Sequence, residues 1–281
     1  MSTSSSLTSG RSGDAVTARS WLFAPADRPE LFLKAVRSGA DAIICDLEDA
    51  VPPGGKATAR RNVADWLSSG GRAWVRVNAA DTAWHDADLA ALRGSAGLRG
   101  VVLPKAARPE EVEQVSRALG EIPVIPLLET AVGIHRANDI ATCTKVARLG
   151  FGSIDFANDI SCAGDDDALL LARSTIVLAS RVAGLPAPID GVTTALGDRS
   201  RVLAETVRAA RLGFGAKLCI HPDQIATVCE GFRPSADELA WAARVVAADR
   251  GTGSAQKVDR EMVDQPVLLR AQGIIRRAEL P

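Results

Sequence analysis

The chain has no apolar stretch approaching the roughly 18 residues that a bilayer-spanning helix requires, so no membrane segment is expected. Its five cysteines (Cys45, Cys143, Cys162, Cys219 and Cys229) include no C-x-x-C pair. Cys45 and Cys219 fall inside strand-like runs, where a thiol packs as a small hydrophobe. An odd cysteine count in that setting points to a reducing compartment. No excess of either charge appears: 33 basic and 34 acidic residues leave a formal net charge of −1. With the two signs interspersed, neither nucleic acid nor an anionic membrane is expected as a partner. Ser-His-Asp order, zinc-ligand spacing and a glycine-rich nucleotide loop are all missing. The opening MSTSSSLTSGRSGD lacks the apolar centre of a secretory signal and reads as a Ser-rich disordered tail. The expectation is a soluble cytoplasmic protein.

What the chain does have is repetition. Eight short apolar runs recur: Ser20–Pro25, Asp41–Glu48, Arg72–Asn78, Gly100–Lys105, Pro123–Thr130, Ala147–Asp155, Pro186–Gly191 and Gly215–Pro222. Segments of helical spacing separate them, among them Lys56–Leu67, Asp86–Leu92, Pro109–Leu119 and Asp198–Leu212, and this alternation argues for a parallel α/β sheet. Eight units in 281 residues meet the requirement of a closed (β/α)8 TIM barrel. Hydrophobic content of 47% is ample for its core. The organisation expected is a disordered tail over 1–18, a barrel over 19–232 and a C-terminal helical extension over 233–281. Within that extension, Ser235–Asp249 is amphipathic, Arg250–Lys257 is a flexible connector, and the apolar last segment needs a packing surface, here expected on a neighbouring subunit.

Barrel strand ends converge on one face, where active sites sit. In this chain they carry Asp46, Glu48 and Asp49, then Arg76, Lys105, Glu129, Asp155, Asp190 and His221. Glu129 and Asp155, on consecutive strands, form a hard-oxygen pair suited to Mg²⁺; the competing reading has one or both capping helices or pairing with an arginine. Arg76 is placed to clamp a carboxylate or stabilise an enolate oxygen, or to form a salt bridge with Glu48 or Glu129. Strand alternation sends Asp46 and Glu48 to the same side, so one of the three acids Asp46, Glu48 and Asp49 orients an arginine or a metal-bound water while another caps the loop. Lys105 and Lys217 would meet a phosphate or close ion pairs. His221 reads as a hydrogen-bonded core histidine ahead of a general base. Asp165, Asp166 and Asp167 open a helix as capping residues rather than metal ligands.

In their order, WLFAPADRPE, GADAIICDLEDAVPP, VRVN, VVLPK, LLET, GSID, KLCIHPDQI and MVDQPVL resemble the citrate lyase β-subunit-like family of the wider HpcH/HpaI aldolase group. The likeness runs from Arg19 to Gly273. Each motif is weak alone, and the ordered set is highly specific. Ala26 stands where many members have glycine, which would alter how closely that loop approaches a ligand.

The resemblance implies a carbon–carbon lyase acting on a 3-hydroxyacyl-CoA thioester with Mg²⁺ held by Glu129 and Asp155. It implies Arg76 as a substrate-binding arginine, Arg28 and Lys56 as basic positions near the CoA phosphates, and Asp264 reaching a neighbouring subunit's site in a trimer or larger assembly. In that chemistry Arg76 would hold the thioester oxyanion and Asp264 would exchange a proton with the enolate carbon. Three other outcomes compete: a malyl-CoA-type thioesterase, aldol cleavage yielding pyruvate without CoA, and a non-catalytic CoA-thioester-binding subunit.

Overall fold

The computed structural model describes residues 13–248, 256–258 and 261–279. They divide into two compact units, Met1–Cys229 and Glu230–Pro281. In the first unit, eight parallel strands close into a barrel in sequence order: β1 Ser20–Pro25, β2 Ala42–Asp46, β3 Ala73–Arg76, β4 Leu98–Leu103, β5 Val124–Leu128, β6 Gly150–Phe151, β7 Ile189–Asp190 and β8 Ala216–Cys219. The expected (β/α)8 fold is the fold observed. The helices of this unit are α1 Gly13–Thr17, α2 Glu30–Arg37, α3 Lys56–Ser68, α4 His85–Leu92, α5 Pro109–Leu119, α6 Ala131–His135, α7 Ala137–Ala141, α8 Ser153–Asp159, α9 Leu170–Val182 and α10 Arg199–Leu212, with α11 Ile225–Gly231 at its end. Local chemistry sets several of these boundaries. Thr130 caps α6 by accepting from Gly133 N–H, Asp198 caps α10 by accepting from Arg201 N–H, and Gly213 ends α10 in the left-handed region.

Large residues of the barrel interior alternate with small ones. Trp21 and Trp74 meet edge to face, with ring centroids 5.2 Å apart, among Ala42, Ile44, Val102, Ile125, Leu127, Ile189, Ala216 and Leu218. Trp74 of β3 lies in register with Gly100 of β4, where a Cβ would fall on the indole ring. The tail expected over 1–18 is helical at its end. α1 brings Ala15 and Ala18 into the same core, and the buried Arg148 guanidinium donates to their carbonyls at 3.3 and 2.8 Å and to Ala187 O at 2.5 Å. The earlier part of the tail lies outside the described residues.

Three further expectations are corrected. The sixth strand is shorter than its apolar run, because Ser153 starts α8, so Asp155 occupies a helical first turn instead of a strand end. Asp165–Asp167 form a turn ahead of α9, which begins at Leu170; Asp165 accepts from Ala168 N–H at 2.9 Å and Asp166 pairs with Arg208. His221 is half exposed and caps a 3-10 turn by accepting from Asp223 N–H at 3.2 Å, so it is not a core residue.

The second unit contains α12 Ala236–Ala248, an antiparallel hairpin of β9 Gln256–Val258 and β10 Glu261–Val263, and α13 Gln265–Glu279. Its core joins Ala242, Val245, Val263, Leu268, Ala271 and Ile274. The hairpin was not anticipated: Gln256 and Lys257 of the expected connector belong to it, while residues 250–255 lie outside the described residues. Among the described residues no helix is long and apolar enough to cross a membrane.

Overpacking a filled barrel layer costs about 1–3 kcal/mol, so Gly100→Ala, which pushes a methyl into Trp74, is expected to lower the thermal midpoint with a loss of that size. Calorimetry of the variant against the wild type measures it.

Candidate active site

The parallel ladder places Asp46 at the end of β2 opposite Arg76 at the end of β3. The two side chains form a two-pronged bond, Arg76 Nε to Asp46 Oδ1 at 2.7 Å and Nη2 to Oδ2 at 2.6 Å, nearly shielded from water. The other edge of the guanidinium faces Glu48 Oε2 at 3.0 Å and Asp49 Oδ2 at 3.5 Å. Its flat face lies 4.6 Å from the Phe23 ring centroid. Burial opposes the Arg76 charge, but Asp46, Glu48 and Asp49 outweigh it and raise the pKa above the usual arginine range. Asp46 also shapes the loop after β2, accepting from Glu48 N–H at 2.9 Å and Ala50 N–H at 3.2 Å. The two roles expected of separate acids fall on one: Asp46 both orients the arginine and caps the loop, while Glu48 bridges to the next cation.

That cation is Lys105, whose ammonium meets Glu48 Oε1 at 2.5 Å. Lys105 has a left-handed backbone, φ 49°, uncommon for a residue with a side chain. This conformation aims its amide at Glu129 Oε1, 2.7 Å away. Glu129, directly after β5, is buried, and its other oxygen fits only because residue 152 is glycine: a Cβ there would fall on Oε2. Burial, followed by the nearby charges of Glu48 and Asp155, pushes the Glu129 carboxyl up to about 8. Burial likewise raises Glu48, with Arg76 and Lys105 pulling the other way.

Glu129 and Asp155 line one cavity of about 400 Å³ with Asp46, Asp49 and Arg76, over an apolar floor that includes Leu127, Phe151 and Leu218. Five carboxylates, those of Asp46, Glu48, Asp49, Glu129 and Asp155, therefore gather at a rim with two cations, Arg76 and Lys105, which pair with the first three. This excess suits a divalent cation. Among the described residues no three His, Cys, Asp or Glu side chains converge into a metal cage. A pair of carboxylates nonetheless fits a hard cation that keeps several waters and takes the rest of its oxygens from substrate.

Other sequence-predicted residues are placed elsewhere. Lys56 is buried and donates to the carbonyls of Leu47 at 2.8 Å and Glu48 at 2.7 Å. Arg28 is exposed and pairs with Glu30 at 3.3 Å. Lys217 closes an ion pair with Asp190 at 3.3 Å, which also holds Arg173 at 3.0 Å, all inside the barrel wall. Asp264 is exposed in the second unit and caps α13 by accepting from Val267 N–H at 3.2 Å. Sequence reasoning missed the Lys105 amide, a backbone donor that no residue type announces, and Gly152, whose G-S-I-D context marks a close approach only in hindsight.

The family model described as HpcH/HpaI aldolase/citrate lyase matches residues 19–222. The chain belongs to that family. A citrate lyase subunit beta-like protein of Mycobacterium tuberculosis is 40% identical over 265 residues, covering 92% of this chain and 94% of that protein. A (3S)-malyl-CoA thioesterase of Cereibacter sphaeroides is 32% identical over 271 residues, covering 93% and 94%. Among solved structures, the M. tuberculosis protein CitE in complex with magnesium, acetoacetate and coenzyme A matches with a TM-score of 0.86 and 38% identity, over 94% of this chain and 99% of that one. The family assignment agrees with the resemblance read from the ordered motifs, and the chain is an enzyme of the aldolase and lyase type.

A protein that binds a metal through a protonated buried acid couples that binding to proton release. In the metal-free protein the folded state keeps the Glu129 proton up to about pH 8, while the unfolded chain gives it up near the ordinary 4.5. The folded state thus binds the extra proton between those values, and its stability is expected to fall as pH rises through that window. Thermal melts with chelator at about pH 5 and about pH 8 measure the effect. Glu129→Gln, which cannot ionise, should flatten the difference, and an unchanged slope in the variant would assign it to another group.

Proposed function

We propose that this chain is a magnesium-dependent carbon–carbon lyase that cleaves, or in reverse forms, a 3-hydroxyacyl-CoA thioester of the malyl, citramalyl or citryl type. The observation that carries this reading is the gathering of Glu129, Asp155 and the clamped Arg76 in one cavity. The match to CitE bound to magnesium, acetoacetate and coenzyme A supports it. Glu129 and Asp155 would hold the Mg²⁺ ion, which supplies Lewis acidity toward the hydroxyl and carboxylate of the hydroxy acid.

The chain's own residues do the remaining work. Cleavage of the bond between C2 and C3 of the acyl chain leaves the hydroxy acid portion as a carbonyl compound and the thioester portion as an enolate. Arg76, fixed by Asp46, offers the enolate oxygen its positive charge and the Nη2 proton left over after its contacts with Asp46, Glu48 and Asp49. Asp49, the exposed carboxylate of the cluster, takes the hydroxyl proton. Asp264 of the partner subunit returns a proton to the enolate carbon, so the working form is a homo-oligomer, a trimer or hexamer. Arg28, exposed beyond β1, meets the CoA phosphates.

A second reading keeps the site and changes the outcome. The 32% identical relatives named (3S)-malyl-CoA thioesterase favour hydrolysis of the thioester by water. Incubating the protein with Mg²⁺ and malyl-, citramalyl- and citryl-CoA separates the two. The lyase releases an aldehyde or keto acid with a shorter acyl-CoA, whereas the thioesterase releases the intact hydroxy acid with free CoA; no product from any thioester would end both readings. Arg76→Lys, which replaces the two-pronged fork with a point charge, is expected to reduce kcat by about 10²–10³-fold. An inactive Asp264→Asn chain mixed and reassembled with an inactive Arg76→Lys chain should regain activity, because some mixed sites combine intact residues from different subunits. Absence of any recovery would place Asp264 in its own chain's chemistry or outside it.

A further inference from the structure

We infer that Lys56 is a positioning residue that fixes Glu48, and through Glu48 the facing edges of Arg76 and Lys105, and that it does not touch the coenzyme A phosphates. Lys56 is the first residue of α3 and is 6% exposed. Two of its ammonium protons go to the carbonyls of Leu47 and Glu48, and the ammonium lies 5.1 Å from the Trp84 ring centroid, over its face. An ammonium has three donors; two are committed to carbonyls, and the face of Trp84 and the burial of the side chain close off the space around the third. The surrounding charge is also wrong for an anion: Asp46, Glu48, Asp49 and Asp88 all act on this lysine.

The loop it grips is held from both sides. Asp46 receives the amides of Glu48 and Ala50, while Lys56 draws in the carbonyls of Leu47 and Glu48. Fixed between them, the Glu48 carboxylate bridges Arg76 at 3.0 Å and Lys105 at 2.5 Å. Its Oε2 is buried and makes no hydrogen bond beyond that ion pair, so little else restrains it. Without the Lys56 donors the Leu47 carbonyl would lose that bond and the Glu48 carbonyl would keep only the Val51 amide at 2.9 Å, so the loop would be freer to carry Glu48 off the guanidinium. The cost would fall on the chemical step.

Lys56→Met keeps most of the stem and removes the donors; Lys56→Gln keeps a donor and removes the charge. The kinetic arm rests on the lyase reading. It compares the natural CoA thioester with the matching pantetheine thioester, which lacks the nucleotide and its phosphates. A positioning role predicts that Lys56→Met lowers kcat by about 10–100-fold on both thioesters with KM within about twofold, and that Lys56→Gln recovers part of the loss. Calorimetric affinity for CoA itself should not change. Hydrogen exchange at the amides of Glu48, Ala50 and Val51 should quicken in Lys56→Met, a readout that needs no turnover. A tenfold or greater rise in KM confined to the CoA thioester, or weakened CoA binding, would make Lys56 a phosphate ligand and overturn the inference. Unchanged exchange at the loop amides would overturn it as well. If the wild type turns over no thioester, the lyase reading fails by itself while the exchange measurement still decides the role of Lys56. If Lys56→Met does not fold, Lys56→Gln carries the same comparisons with smaller changes.

Discussion

The bidentate bond between Asp46 and Arg76 is the interaction on which the site depends. It is specified by the sheet, since the two residues are partners in the β2–β3 ladder and both are the last residues of their strands. Separating two charges this deeply would be costly, because removal of one partner strands the other in a medium that cannot solvate it. The pair therefore behaves as part of the barrel rim. From it the remaining geometry can be traced outward, to Glu48 on the far edge of the guanidinium, to Lys105 on Glu48, and through the Lys105 amide to Glu129.

This chain of contacts explains how an acidic mouth stays folded. Each buried carboxylate except Glu129 has a cation against it, and Glu129 has a backbone amide instead. A neutral donor stabilises an anion less than a cation does, so Glu129 is the acid whose charge is least supported by the protein. Its ionisation is left to a second positive charge, and an oxygen-loving divalent cation is the chemical class that supplies one. The glycine at 152 preserves the space on that side of the carboxylate.

Much of this architecture was legible in the chain. Eight apolar runs with helical spacers required a closed barrel, and the expected strand ends marked the charged residues that line the cavity, Asp46, Asp49, Arg76, Glu129 and Asp155. Where reading failed, the reason was local. The run Ala147–Asp155 is apolar enough for a long strand, but the strand itself is Gly150–Phe151, and the S-I-D that follows coils into a helix that still delivers Asp155 to the cavity. Charge type alone also says little about partners: lysine near a motif suggests an anion, while two Lys56 donors go to carbonyls, a partner invisible in a one-letter code. The hairpin in the second unit was hidden because its strands have only three residues each.

The short helix beneath the barrel separates two boundaries that are often treated as one. Family likeness starts at Arg19, yet the cylinder is closed below by Ala15 and Ala18, whose carbonyls receive the Arg148 guanidinium. Trimming the chain to its recognisable portion would remove that plug and leave Arg148 short of two acceptors. The piece that inheritance defines is thus shorter than the piece that packs as one core.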